Sequence, residues 1–323
     1  MLQMISIPTP FSVGPVNVYV STETPITLID TGPKWPESRA ALEAALAARG
    51  VRLENIQQLI LTHHHVDHVG LAGEIASRSG CAVLTHPYNT PWLVDYEAER
   101  RRHLPFYHQI WREGGVPDEI VAAMEASGAG MARWLDSVTP AREIDEGANI
   151  ELDGENWQVF HTPGHAGGLV CMWQAARREL LANDHFIRDI SSNPILEPPD
   201  TMNGPRPKRL VEYLRHMQRM AALGPARALP GHGQVVEDVP GLVRQRLAFH
   251  ERRKQKLLGL LAPQPLTLWE LTQATFGARL TRGMDWFLGC SEILGHLDLL
   301  EADGTVTSQR DGLVLRYTLT RNH

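Results

Sequence analysis

The run His63-His64-His65-Val66-Asp67-His68 constrains this chain more than any other feature. It sets four metal-binding groups, His63, His65, Asp67 and His68, within six residues. A short apolar stretch at 56–61 leads straight into it, and the spacing behind it predicts a helix over 67–79, closed by Gly80. The local unit is therefore strand, histidine loop, helix, and side chains leaving one strand end in this way can converge. Imidazole nitrogen and carboxylate oxygen suit zinc, manganese or iron. A divalent metal lowers the pKa of its bound water until hydroxide exists near neutral pH, supplying the nucleophile that Ser or Cys supplies elsewhere.

Three more candidates stand at the ends of later strand-like segments. They are His165 in Thr162-Pro163-Gly164-His165, Asp184 in Asn183-Asp184-His185, and His232 in Pro230-Gly231-His232-Gly233. Each alone reads as a turn beside a solvated side chain. Together with the first run they supply seven ligands, too many for one tetrahedral ion but suited to two metals that share a carboxylate and a water. The strand signals fall into two groups, at 18–29, 56–61 and 81–85 and then at 150–152, 157–161, 169–173, 180–182 and 226–229. Between the groups, residues 87–140 are mainly helical and rich in Glu, Arg, Trp, His and Ala, as an insertion would be. Helices are also expected at 36–48 and 208–223.

The ordered set H-x-H-x-D-H, Gly-His, Asp, Gly-His resembles the metallo-β-lactamase fold superfamily over about residues 10–235. The resemblance implies an α/β architecture, the αββα metallo-β-lactamase sandwich. It implies that His63, His65 and His165 hold one metal, that Asp67, His68 and His232 hold the other, and that Asp184 bridges them. Two divalent ions are expected, zinc first and iron or manganese as alternatives. Asp30, in Ile29-Asp30-Thr31-Gly32, matches an early Asp-x-Gly element expected to anchor the histidine loop. Asp67 and Asp184 are the candidate catalytic carboxylates, Asp67 as a ligand that can also orient or deprotonate the attacking water. The metal pair is expected to polarise a substrate carbonyl or phosphoryl oxygen.

Around this set, His185 and Arg188 are candidate substrate contacts, Arg188 for an anionic group. His64 points away from its neighbours in an extended segment and is expected to pack or to face solvent, and His161 reads as structural. His103, Tyr107, His108 and Trp111 lie at near-helical spacing in the insertion, as a roof over the metals or, more simply, a packed amphipathic face. Arg100, Arg101 and Arg102 read as a solvated face.

Beyond Phe249 the pattern is three helices and a hairpin, which reads as a small C-terminal winged helix. The expected division is a hydrolase domain at 1–247, with its insertion at about 87–140, and a winged-helix-like domain at 248–323. This layout, with Ser192-Asn193-Pro194 and the stretch 291–297, resembles the glyoxalase II-like and beta-lactamase-like protein 2 subgroup, whose members include acyl hydrolases and nucleases of single-stranded RNA. Charge favours the former. The chain has 31 Lys and Arg against 37 Asp and Glu, a net charge of −6, and residues 248–323 hold nine against eight. Phosphate binding needs a clustered basic surface, whereas the cations here concentrate on the first of the three helices. The winged helix is thus expected to pack on the hydrolase or on a second subunit of a homo-oligomer. The leading expectation is a dinuclear hydrolase of a small-molecule ester or thioester; the alternative is a single-strand-specific endoribonuclease. A non-enzymatic metal binder is disfavoured by the full ligand set, and a flavodiiron role by the missing flavodoxin domain. Three separated cysteines, no leader-like N-terminus and no apolar stretch of membrane-spanning length make a cytoplasmic protein, with no membrane partner, the expectation.

Overall fold

The computed structural model describes residues 2–199, 201 and 204–320. A first sheet of six strands runs in the order β1 (Gln3–Ile7), β2 (Val16–Ser21), β3 (Thr27–Ile29), β4 (Gln58–Leu61), β5 (Ala82–Thr85) and β6 (Arg142–Glu143). The first two pairings are antiparallel and the rest parallel. Parallel neighbours need crossovers. Helix α1 (Pro36–Ala47) joins β3 to β4, and α2 (Val66–Val69) with α3 (Ala72–Ser79) joins β4 to β5. The insertion between β5 and β6 forms α4 (Thr90–Val94), α5 (Tyr96–Glu113) and α6 (Asp118–Ala129).

A second sheet holds β7 (Asn149–Leu152), β8 (Glu155–His161), β9 (Val170–Gln174), β10 (Glu179–Asn183) and β11 (Arg227–Pro230) in reverse spatial order. Its one parallel pair, β10 with β11, is joined through α7 (Arg209–Ala222). The two sheets pack face to face with helices outside, the αββα sandwich. Alternation along the strands builds the layers: Ile60 enters the core between the sheets with Tyr19, Leu84, Trp157, Met172 and Leu181, while Leu59 and Leu61 face α1 and α3. On β9, Val170 and Met172 face the first sheet, and Cys171 and Trp173 face α7. Strands buried on both faces read as continuous apolar runs, which is why both were legible.

The helix expected over 67–79 is broken. Gly70 sits so close to neighbouring backbone that a Cβ there would lie 2.3 Å from Lys34 N and 2.4 Å from Trp134 O. Leu71 leaves the helical region at φ −92°, ψ 4°. The short turn α2 is thereby free to set Asp67 and His68 at their own angle.

The C-terminal extension comprises α8 (Val239–Leu261), α9 (Leu268–Phe276), α10 (Gly283–Ala302) and the hairpin β12 (Val306–Asp311) with β13 (Val314–Leu319), a winged-helix-like layout. Helix α8 runs unbroken through residue 247. Its first turns put Val239, Leu242 and Val243 into the core over the second sheet, and its end puts Leu257 and Leu261 into the core of the extension. That latter core also takes Trp111, Val116 and Met124 from the insertion, so insertion and extension bury one common apolar surface. No described helix is long and apolar enough to cross a membrane.

Candidate metal centre

The seven candidate ligands are carried by four connections, all at one end of the sandwich. The loop after β4 brings His63 and His65 and runs into α2, which brings Asp67 and His68; the β8–β9 loop brings His165; the segment after β10 brings Asp184; the loop after β11 brings His232. In fifth place the loop after β3 brings Asp30, which braces the ligands. Asp30 and Asn183 both take positive φ, 59° and 45°, at strand ends, a conformation that Asp and Asn tolerate better than most side chains.

The ligand atoms form overlapping groups: His63, His65 and His165; His63, His68 and Asp184; Asp67, His68 and His232, each group within 4.8 Å of one another. His165 Nε2 lies 2.9 Å from His65 Nδ1. One carboxylate spans the groups: Asp184 Oδ1 is 3.4 Å from His68 Nε2, and its Oδ2 is 3.4 Å from His165 Nε2 and 3.6 Å from His232 Nε2. Asp67 Oδ2 is 3.4 Å from His232 Nε2. His63 Nε2, His68 Nε2, His232 Nε2 and Asp184 Oδ1 are buried with no hydrogen-bond partner. Buried polar atoms are normally satisfied, and here four orphans aim at the same space. Gly231 makes that approach feasible, because a Cβ at this position would fall on Asp184 Oδ1.

The far side of four of the five candidate ligand rings is fixed. His68 Nδ1 donates to Asp30 Oδ2 at 2.8 Å, His165 Nδ1 to Asn193 O at 2.9 Å and His232 Nδ1 to Pro15 O at 2.8 Å. His63 Nδ1 stands 3.2 Å from Thr62 Oγ1. Asp30 also accepts from Thr62 N at 2.9 Å and from Thr62 Oγ1 at 2.8 Å. These bonds set tautomer and orientation together, leaving Nε2 of His68, His165 and His232 free to ligate.

Burial, reinforced by neighbouring rings, holds His63 and His65 well below the ordinary histidine range. Both are therefore neutral, the form that binds metal. Burial opposes charge on His68 and His232 too, but Asp184 and Asp67, joined by Asp30 at His68, outweigh it and draw both upward. Asp184 is held far below the usual carboxylate range, burial being overcome by His232 and His68. These residues fit divalent metals: carboxylates that are ionised, rings turned inward, and lone pairs with no other use.

Residues 12–232 match the model of the Metallo-beta-lactamase superfamily. The chain belongs to that superfamily. Across nearly its whole length it is similar to the probable metallo-hydrolase YqjP of Bacillus subtilis, 35% identical over 95% of this chain and 94% of the relative. It is also similar to a beta-lactamase-like protein 2 homolog of Caenorhabditis elegans, 23% identical over 83% and 73% of the two chains. Among solved structures, a metallo-beta-lactamase family protein from Thermus thermophilus aligns over 99% of this chain and 98% of its own, with 28% identity and a TM-score of 0.79. A beta-lactamase domain protein from Burkholderia ambifaria shares the fold at 20% identity and a TM-score of 0.83, over 99% and 92%. The superfamily ligand clusters, present here in order and in space, are those of a metal-dependent hydrolase with a dinuclear divalent-metal site.

The other residues singled out in the sequence are placed as follows. His185 is fully buried, its ring 5.4 Å from that of Tyr213 and 5.0 Å from that of Phe186. Arg188 is exposed, bonded to Asp189 at 2.9 Å and Gln234 at 2.5 Å. His64 stacks on Trp92 at 5.0 Å, and His161 stacks on His86 at 3.9 Å. Tyr107 and Trp111 pack into the common core of insertion and extension. Arg100 and Arg101 pair with Glu97 and Arg102 with Glu99, all within α5; Arg101 and Arg102 are exposed, whereas Arg100 is largely covered. Sequence reasoning missed Thr62, Pro15 and the role of Asn193, since Pro15 and Asn193 act through backbone carbonyls and Thr62 through a hydroxyl, none of which ligand spacing marks.

Proposed function

We propose that this chain is a dinuclear metal-dependent hydrolase, with zinc the expected metal, acting on an ester or thioester of a small acyl substrate. The observation that carries the two-metal reading is Asp184, whose two oxygens face ligands of both groups. His63, His65 and His165 would hold one metal, Asp67, His68 and His232 the other, and Asp184 would contribute to both. When bound, two such ions supply an activated water and polarise the substrate's carbonyl oxygen.

The protein's own side chains arrange the rest. Asp67, at the more open edge of the cluster, is kept ionised by His68 and His232 against the effect of burial. It accepts a hydrogen bond from the attacking water and takes its proton. Arg188, on the exposed segment after Asp184, meets an anionic portion of the substrate, and His185 supports that segment from beneath.

The small-molecule reading is favoured over RNA cleavage by what became of the extension's basic residues. On α8, Arg253 forms an ion pair with Glu292 at 2.9 Å, Lys254 bonds Asp303 at 2.5 Å, and Lys256 donates to Thr275 O at 3.0 Å. Helix α10, the third helix of the winged-helix layout and the one expected to read a nucleic-acid groove, buries Cys290, Ile293, Leu294, Leu297 and Leu300 against its neighbours. The similarity to the C. elegans homolog supports placement in the glyoxalase II-like and beta-lactamase-like protein 2 subgroup. The division proposed between hydrolase and extension, after residue 247, falls inside α8, whose two ends pack into different cores.

The test is zinc-reconstituted protein assayed in parallel on acyl thioesters, esters and a single-stranded RNA, with Asp184→Ala as control. Thioester or ester turnover that Asp184→Ala abolishes is expected. RNA cleavage without acyl turnover would replace this reading with the nuclease one.

A further inference from the structure

Four ligand rings are held from behind, and one of the four holds differs in kind. Asp30, Thr62 and Pro15 sit next to strands of the first sheet, at the ends of β3 and β4 and the start of β2. Asn193, which holds His165, lies in the middle of a long connection between β10 and α7 that contains no strand or helix among its described residues. A segment of that kind is positioned only by what grips it.

The grips come from elsewhere in the chain. Arg246 of α8, buried, donates from Nη2 to the carbonyls of Ile187, Arg188 and Ile190 at 2.7–2.8 Å. Asn193 Nδ2 donates to Leu288 O of α10 at 3.2 Å. Leu196 enters the core shared by insertion and extension, and Glu197 pairs with Arg209 at 2.7 Å. The segment meets His165 twice, through Asn193 O on the ring and through Ile195 N, which donates to His165 O at 3.3 Å. Pro194 biases Asn193 toward an extended backbone, which steadies the direction of the carbonyl that His165 uses.

We propose that Asn193 is a positioning residue for His165, and that through it helix α10 of the C-terminal extension sets metal affinity at the His63, His65 and His165 group. The inference rests on the metal reading of those three histidines. The side-chain amide ties the segment to α10, and the backbone carbonyl of the same residue fixes the His165 ring. Loss of the tie lets the carbonyl drift, and the ring then loses the partner that keeps Nε2 unprotonated and inward. Outer partners of metal-binding histidines are worth roughly 10- to 100-fold in affinity.

The experiment uses the full chain with zinc, by chelator competition, and with cobalt, by visible absorption. Asn193→Asp is isosteric but cannot donate to Leu288 O, and Asn193→Ala removes the donor without adding charge. Both are expected to weaken one of the bound metals by roughly 10- to 100-fold while leaving the other near its original affinity, with an altered cobalt spectrum and unchanged far-ultraviolet circular dichroism. Should the aspartate variant lose its fold, the alanine variant carries the same expectation. Full affinity for both metals in a variant that is merely less stable would overturn the proposal. His165→Ala separates the two readings: it must cost one metal, and if it costs none the metal assignment itself fails, whatever Asn193 does.

Discussion

Two sets of buried histidines sit in this molecule, and they solve the cost of burial in opposite ways. In the extension's interface, His250 of α8 and His296 of α10 bond to each other at 3.1 Å, and His296 Nδ1 donates to Glu292 O at 2.7 Å. Burial, helped by nearby cations, pushes them down to about 3 and about 4. No carboxylate offsets this, and the pair is a neutral packing element. At the sandwich end, by contrast, rings and carboxylates converge, with the outer nitrogens of four rings fixed and Nε2 of His63, His68 and His232 unmatched. A buried histidine is thus no sign of a metal. The sign is a set of inward lone pairs, with carboxylates among them and partners behind them.

The comparison breaks most readily at Asp30, which serves three donors at once. Asp30→Asn keeps the shape but loses the charge behind His68, and is expected to weaken metal binding by roughly 10- to 100-fold, read by chelator competition. Unchanged affinity would reduce Asp30 to a fold residue.

The smaller effect concerns the neutral pair. His250 and His296 titrate near 6.5 when unfolded but only at about 3 and about 4 when folded. The unfolded chain therefore binds more protons between these values, so their contribution is intact above pH 6.5 and is lost as pH falls. Each group costs up to about 1.4 kcal/mol per pH unit in that window. Urea unfolding at pH 7.5 and pH 5 should show this slope, and a variant with Gln at both positions should show a shallower one. Equal slopes would mean that the pair is not held neutral.

Much of the centre was legible because its chemistry is local in sequence. Four candidate ligands within six residues, and three more at strand ends, need no knowledge of packing. The two-sheet layout was legible for a similar reason, since Leu59, Ile60 and Leu61 serve two cores and leave an unbroken apolar run. What escaped depends on distant contacts. The break at Gly70 is imposed by Lys34 and Trp134, neither of which a helical pattern at 67–79 can announce. Strand β1 was missed because only its inner face is buried. The common core of insertion and extension joins Trp111 to Ile293 across a large span of sequence, and Asn193 acts on His165 through a carbonyl that every residue possesses.

The central claim, that one carboxylate joins two ligand groups into a dinuclear site, is tested most directly by counting metal. Elemental analysis of zinc-reconstituted protein should give two ions per chain, and Asp184→Ala, compared at equal free zinc, should fall below two. Two ions retained at full affinity in Asp184→Ala, or a single ion in the parent protein, would contradict it.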